Sequence, residues 1–195
     1  MREVIGYTHY RGIIAAQHYD FAEVLTPFLT DNKFDAILEV GTYKGGFTLF
    51  LRDVLPNAQI TTYDIHPAEH LGIEFLEQFG VKYKQKSIFC PHTYKVIDQD
   101  FLSKIANSGK LLVVVDGGNK IAEFNAIAPH IKVGDHIMCH DFAMSLEHFN
   151  TNILGKLWNC CEITENDIAQ VCQQHNLVTV HPELNNIVWQ CKKKI

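Results

Sequence analysis

Six cysteines occur in this 195-residue chain, at Cys90, Cys139, Cys160, Cys161, Cys172 and Cys191, yet none forms a Cys-x-x-Cys pair. That removes the usual zinc-ribbon and dithiol redox spacings, and the cysteines read as reduced, mostly buried small hydrophobes. No His-x-x-x-His pair falls inside an expected helix, so the eleven histidines give no zinc-peptidase signature. There is no Gly-x-Gly-x-x-Gly fingerprint and no Gly-Lys-Ser/Thr phosphate loop. No apolar run is long enough to span a bilayer, and the first residues lack a signal-peptide pattern, which makes a cytoplasmic location the default expectation. Basic residues are the minority, 17 Lys and Arg against 22 Asp and Glu, for a net charge of −5. Without a basic stripe, nucleic acid is not an expected partner, and Lys192-Lys193-Lys194 reads as a short solvated tail. Internal repeats, low-complexity tracts and proline-rich linkers are also lacking. One domain over residues 1–195 is expected, with room for a sizeable core.

What is present is an alternation of strand and helix patterns. Phe21, Val24, Leu25 and Phe28 mark a first amphipathic helix, within an N-terminal helix-and-flap region over 1–33. Strands are expected at Ala36 to Val40, Gln59 to Asp64, within Val81 to Phe89, at Leu111 to Asp116 and at His136 to His140. The unbroken apolar run Leu111 to Val115 implies burial on both faces of a parallel sheet. Helices should carry Leu71, Phe75, Leu76 and Phe79 inward between Pro67 and Gly80, then Ile97, Phe101 and Ile105, then Ile121, Phe124 and Ala128, then Ile168, Val171, Cys172 and His175. Leu177 to Val180 and Asn186 to Cys191 read as a late antiparallel hairpin at the sheet edge. The expected fold class is α/β, a Rossmann-like doubly wound sheet, mostly parallel, with right-handed crossovers. Ligands of such sheets lie beyond the carboxyl ends of the strands at the switch point. The residues there are Gly41, Asp64, Ser87, Asp116 and His140-Asp141.

The first strand runs into Glu39-Val40-Gly41-Thr42-Tyr43-Lys44-Gly45-Gly46, with Phe47, Phe50, Leu51, Val54 and Leu55 on one face of the helix that follows. Gly41 permits the turn, Gly45-Gly46 permit close backbone approach, and the helix N-terminus favours an anionic group. This turn resembles motif I of the class I S-adenosylmethionine (SAM) methyltransferases, where the loop wraps the methionine end of the cofactor. Asp64, ending the second strand, is placed to accept hydrogen bonds from ribose hydroxyls; its alternative role is to cap the following helix. Ser87 and Ile88 fall where adenine would lie. Asp116 and His140-Asp141 end neighbouring strands, so two carboxylates and an imidazole should face one cavity, suited to a hard cation such as Mg²⁺ or to acid–base chemistry. Phe142, Met144, Phe149 and Trp158 belong to a segment, 142–165, that reads either as an acceptor lid or as core closure. Tyr7, His9, Tyr10 and Arg11 read as an N-terminal flap over the cofactor.

Tyr10-Arg11-Gly12, the helix from Asp20, the glycine turn, Val115-Asp116-Gly117-Gly118 and His140-Asp141 together resemble the cephalosporin hydroxylase and macrocin or rhamnosyl O-methyltransferase group, over roughly residues 10–141. The resemblance implies a SAM pocket from Glu39, Gly41, Thr42, Gly45, Gly46 and Asp64. It implies a Mg²⁺ site from Asp116, Asp141 and the residue before it, here His140 where several relatives carry a carboxylate. Relatives place a histidine base three residues after the strand-ending Asp, and this chain has Asn119. Three readings follow: His140 is the base, with Asp116 as the other catalytic residue; the metal alone acidifies the hydroxyl; or the chemistry differs. The expected activity is O-methyl transfer to a small-molecule hydroxyl, by a protein that could self-associate. The alternatives are a SAM-binding protein without transferase activity, a SAM lyase or hydrolase, or, least favoured, a NAD-binding oxidoreductase.

Overall fold

Five consecutive apolar residues, Leu111–Val115, form the central strand β4, and alternation splits them between two layers. Leu112 and Val114 point into a cluster with Phe21, Leu25, Phe47, Phe50 and Trp189. Leu111, Val113 and Val115 point into the opposite cluster with Phe101, Phe124 and Ile168. Each such side chain contributes about 1.5–3 kcal/mol by leaving water, so a strand buried on both faces tolerates no polar residue without a partner.

The computed structural model describes residues 8–195. The sheet is built from β1 (Ala36–Val40), β2 (Gln59–Asp64), β3 (Lys82–Gln85), β4, β5 (His136–Cys139), β6 (Leu177–Val180) and β7 (Gln190–Lys194), in the order β6-β7-β5-β4-β1-β2-β3. β1 to β5 are parallel, and β7 runs antiparallel between β5 and β6. α1 (Phe21–Asn32) and α2 (Gly46–Val54) cover one face. α3 (Gln99–Asn107), α4 (Lys120–Ile127) and α5 (Glu165–Gln174) cover the other. The connection reverses between β1 and β4, which makes their carboxyl ends the switch point. This is a Rossmann-like doubly wound α/β fold, as the alternating pattern implied.

The departures are local and have local causes. Lys192-Lys193-Lys194 is no solvated tail: it belongs to β7, where the buried Lys192 pairs with Glu165 and donates to Thr179. The second arm of the late hairpin starts four residues later than expected, at Gln190, because Pro182–Ile187 forms a 3₁₀ turn. Left-handed Gly72 divides the helix expected from Pro67 into one α-turn, Ala68–Leu71, and a 3₁₀ stretch, Glu74–Phe79, which leaves Phe79 exposed. Ile97 precedes α3 and is 54% exposed, because Asp98 caps that helix through the Phe101 N–H.

The short hairpin of His9–Tyr10 and Ile13–Ile14 lies on α2 rather than over the cavity. Tyr10 packs edge-on to Phe21 and Phe50, and its hydroxyl donates to Asp53, as does Arg11. Tyr7 lies outside the described residues. Segment 142–165 is anchored: Phe142 and Ala143 are buried and pair in parallel with Ile163 and Thr164. Met144 is exposed, whereas Phe149 and Trp158 pack on Ala143, Ile153 and Val188. Among the described residues no helix is long and apolar enough to cross a membrane.

Candidate active site

The glycine turn leaves β1 at Gly41, whose φ of +95° belongs to the region glycine enters freely. A Cβ there would collide with the Asp116 carbonyl, so the carboxyl ends of β1 and β4 touch backbone to backbone. Beside this contact opens a cavity of about 560 Å³, within the range of small-molecule sites. Gly41, Asp64, Ser87, Ile88 and Asp116 line it, together with the exposed side chains of Tyr43, Ile65 and Tyr94. Both Asp64 oxygens accept backbone N–H groups, from Tyr43 at 3.1 Å and from His66 at 3.0 Å. The cap and ligand roles are therefore compatible, since each carboxylate oxygen has a second lone pair. The Ser87 hydroxyl bonds the Phe89 backbone, while Ile88 is buried in the wall.

Four residues expected around the ligand stand behind the cavity instead. The Thr42 and Thr62 hydroxyls bond each other at 2.6 Å, both buried. Gly45 faces Ile73 and Leu76, and the close approach at Gly46 is to the Ile14 carbonyl of the N-terminal hairpin. Glu39 is fully buried, and Thr48 Oγ1 donates to its Oε2 at 2.6 Å. Burial raises its pKa to about 8, with the threonine hydroxyls opposing the shift. A second acid, Glu123 on α4, borders the cavity: one oxygen accepts the Asn119 N–H at 3.2 Å, the other has no protein partner, and burial raises its pKa.

At the ends of β4 and β5 the residues expected to share a site do converge. One ligand atom from each of Asp116, His140 and Asp141 lies within 4.8 Å of the others. Between the two carboxylates stands a side chain the motifs did not reveal. Lys120, 5% exposed, places Nζ 2.8 Å from Asp141 Oδ2, 2.8 Å from Glu162 Oε2, 3.2 Å from the Gly117 carbonyl and 3.4 Å from Asp116 Oδ1. The other oxygens are engaged as well. Trp158 Nε1 donates to Asp141 Oδ1 at 2.6 Å, Gln17 Nε2 to Asp116 Oδ2 at 3.0 Å, and His140 Nδ1 lies 3.2 Å from Asp116 Oδ1. Trp189 donates to Gln17 Oε1 at 2.8 Å and stacks on the His140 ring. Asp141 itself is held at φ +55°, a conformation that costs a non-glycine residue energy and persists only where its surroundings enforce it.

The electrostatics follow from these contacts. Burial favours neutral His140, but Asp116 and Asp141 outweigh it and the pKa is raised. Burial likewise opposes the Asp141 charge, and His140 and Lys120 overcome it, leaving the pKa lowered. Lys120 is raised for the same reason, against its own burial. That ammonium would repel a divalent ion about 4 Å away by roughly 4 kcal/mol per unit of its charge at an effective dielectric of 20, against the attraction of the two carboxylates. The ammonium thus stands between the Asp116 and Asp141 carboxylates that a Mg²⁺ ion at this cluster would use.

Lys120 did leave one trace in the sequence. It is the first residue of α4, where a cation opposes the helix dipole and calls for nearby acids. Gln17, Glu162 and Trp189 gave no local sign. Asn119, where relatives of the resembled group carry a histidine, caps α4 by accepting the Ala122 N–H at 3.2 Å.

No protein-family model matches the chain, and no curated protein matches it in sequence. Solved structures do. An O-methyltransferase family protein from Burkholderia thailandensis aligns with TM-score 0.62 and 10% identity, over 89% of this chain and 55% of that one. A ligand-free CmcI-N160 structure aligns with TM-score 0.65 and 14% identity, over 96% of this chain and 76% of that one. CmcI-D160 with Mg and SAM aligns with TM-score 0.60 and 13% identity, over 96% and 77%. The chain thus spans about half the length of the Burkholderia protein and three quarters of CmcI. At these identities the likeness establishes the fold.

Proposed function

We propose that this protein is a SAM-dependent methyltransferase that transfers a methyl group to a hydroxyl of a small-molecule acceptor. The observation that carries the reading is the cavity at the β1/β4 switch point, bordered by the Gly41 turn on one side and Asp64 on the other. The O-methyltransferase neighbours support oxygen as the accepting atom. Gly41 brings the end of β1 against Asp116 at the cavity wall, Asp64 has lone pairs free for ribose hydroxyls, and Ile88 offers an apolar wall for a flat base. Glu39, Thr42, Gly45 and Gly46 serve the pocket by fixing the turn from behind.

When bound, SAM supplies an electrophilic sulfonium methyl. The chain's part is mainly positioning, together with removing the acceptor proton. Asp116 is the acid assigned to that proton: it borders the cavity, and its oxygens are oriented by His140 and Gln17 at the strand end next to the glycine turn. His140 lies enclosed against Trp158 and Trp189, so its role is to hold Asp116 rather than to meet the acceptor.

Calorimetric titration with SAM, S-adenosylhomocysteine and NAD tests the cofactor. SAM and S-adenosylhomocysteine should bind, NAD should not, and Asp64→Ala should weaken SAM by about tenfold or more, the effect of losing hydrogen bonds to a charged acceptor. Binding of NAD alone would end the reading. Incubation with SAM and no acceptor should leave SAM intact; its cleavage would indicate a lyase or hydrolase instead.

A further inference from the structure

We propose that Lys120 takes the place of a divalent cation at the Asp116, His140 and Asp141 cluster, so that the site is organised without metal. The role assigned to the site rests on the methyltransferase reading; the binding behaviour predicted for it does not. Mg²⁺ requires near-octahedral oxygen ligands about 2.0–2.1 Å from the ion. The ammonium of Lys120 already lies among the oxygens that would supply them, 2.8 Å from both Asp141 and Glu162. Its three N–H donors are matched by Asp141, Glu162 and the Gly117 carbonyl, which leaves none unsatisfied.

The opposite faces of the acids are closed by Trp158 and Gln17, so an incoming ion would have to displace protein partners on both sides. Nor is the lysine a loose surface chain that could swing aside. It is almost fully buried, and it stands one residue after Asn119, whose side chain fixes the start of α4. A permanently bound point charge draws Asp116 and Asp141 together as a metal would, and it does so whatever the metal supply. Lys120 is therefore a positioning residue: it sets the attitude of Asp116 toward the cavity without bordering the cavity itself.

Manganese is the probe, read by the loss of its free-ion electron paramagnetic resonance signal on titration with the full chain. Wild type should leave the signal unchanged at millimolar Mn²⁺, and EDTA should not lower its melting temperature. Lys120→Met and Lys120→Ala vacate the position and should bind Mn²⁺ tighter than wild type by about tenfold or more. Lys120→Arg keeps a cation there and should behave as wild type. Wild-type binding at submillimolar Mn²⁺ that disappears in Asp141→Asn overturns the proposal, and this arm holds even if the Lys120 variants fail to fold. Folded Lys120→Met and Lys120→Ala proteins that gain no Mn²⁺ overturn it as well. SAM titration of the same samples is read separately, so a chain that binds neither SAM nor Mn²⁺ removes the methyltransferase reading and leaves the Lys120 result standing.

Discussion

The carboxyl ends of β1 and β2 and those of β4 and β5 lie side by side, yet they are held by different means. At the first, contacts run mostly through backbone between the successive strands β1 and β2: Gly41 N–H to the Tyr63 carbonyl, and Tyr43 and His66 N–H groups to Asp64. At the second, side chains arrive from across the chain, with Gln17 reaching Asp116 from 99 positions away and Trp189 reaching Gln17 from 172. The first region keeps lone pairs free beside an open cavity. The second engages the oxygens of Asp116 and Asp141 with protein partners, though Asp116 still borders the cavity. A pocket that must admit a ligand leaves hydrogen-bonding capacity unspent, whereas a group of buried charges has to be completed by the protein itself.

The largest break in this contrast should come from Asp141→Ala. It strips Lys120 and Trp158 of a shared acceptor and leaves a buried ammonium short of a partner. Removing one member of a buried ion pair costs about 3–5 kcal/mol, which urea unfolding would detect. A loss below about 1 kcal/mol, the worth of an exposed pair, would show that water reaches the cluster.

Gly41→Ala tests the other side. Its φ of +95° and the adjacent Asp116 carbonyl leave no room for a methyl group. Forcing one there should cost about 1–3 kcal/mol and spread the two strand ends apart. SAM affinity should fall more than stability alone explains, by about tenfold or more in calorimetric titration. An unchanged SAM affinity would detach the turn from the cofactor.

The contrast also explains what the sequence revealed. The order of strands, the Gly41 turn and Asp64 are set by short-range signals: apolar runs, a glycine where φ is positive, an acid at a strand end. The convergence of Asp116 with His140-Asp141 was legible too, because adjacent parallel strands end at one level. The central occupant was not. Lys120 looks like an ordinary surface lysine unless its place at a helix start is weighed, and Glu162 and Gln17 belong to segments whose approach no local pattern fixes. Lys192 misled for the same reason, since only β7 and Glu165 show why a run of lysines can be buried.

Glu39 sharpens the comparison through pH. It stands behind the cavity with a hydroxyl partner, Thr48, in place of a cation, so its charge is resisted where that of Asp141 is welcomed. Folding holds its proton up to about pH 8, whereas the unfolded chain releases it near the ordinary glutamate value of 4.5. Between those values the unfolded state binds fewer protons, and the contribution of this group to stability falls as pH rises, by up to about 1.4 kcal/mol per pH unit. Above about pH 8 the fall should stop. Glu39→Gln should flatten this part of the stability–pH curve and unfold at higher urea than wild type at pH 8. Parallel curves for the two proteins would mean that Glu39 is ionised in the folded state.

Asn119 predicts the smallest effect and separates structure from chemistry most cleanly. Its side chain accepts the Ala122 N–H while its own backbone N–H donates to Glu123, so two donors at the start of α4 are satisfied. Asn119→Ala should lower stability by about 1 kcal/mol, as loss of a helix cap does. An amide cannot accept a proton at neutral pH, and Asp116 rather than Asn119 is oriented by His140. Methyl transfer by the variant should therefore keep kcat within a few-fold of wild type. A fall of about 100-fold or more with SAM binding intact is the scale of a lost acid–base group and would place Asn119 in the reaction. The intended result, a weaker helix start with turnover preserved, would leave Asp116 as the proton acceptor and α4 as the element that holds Lys120 behind it.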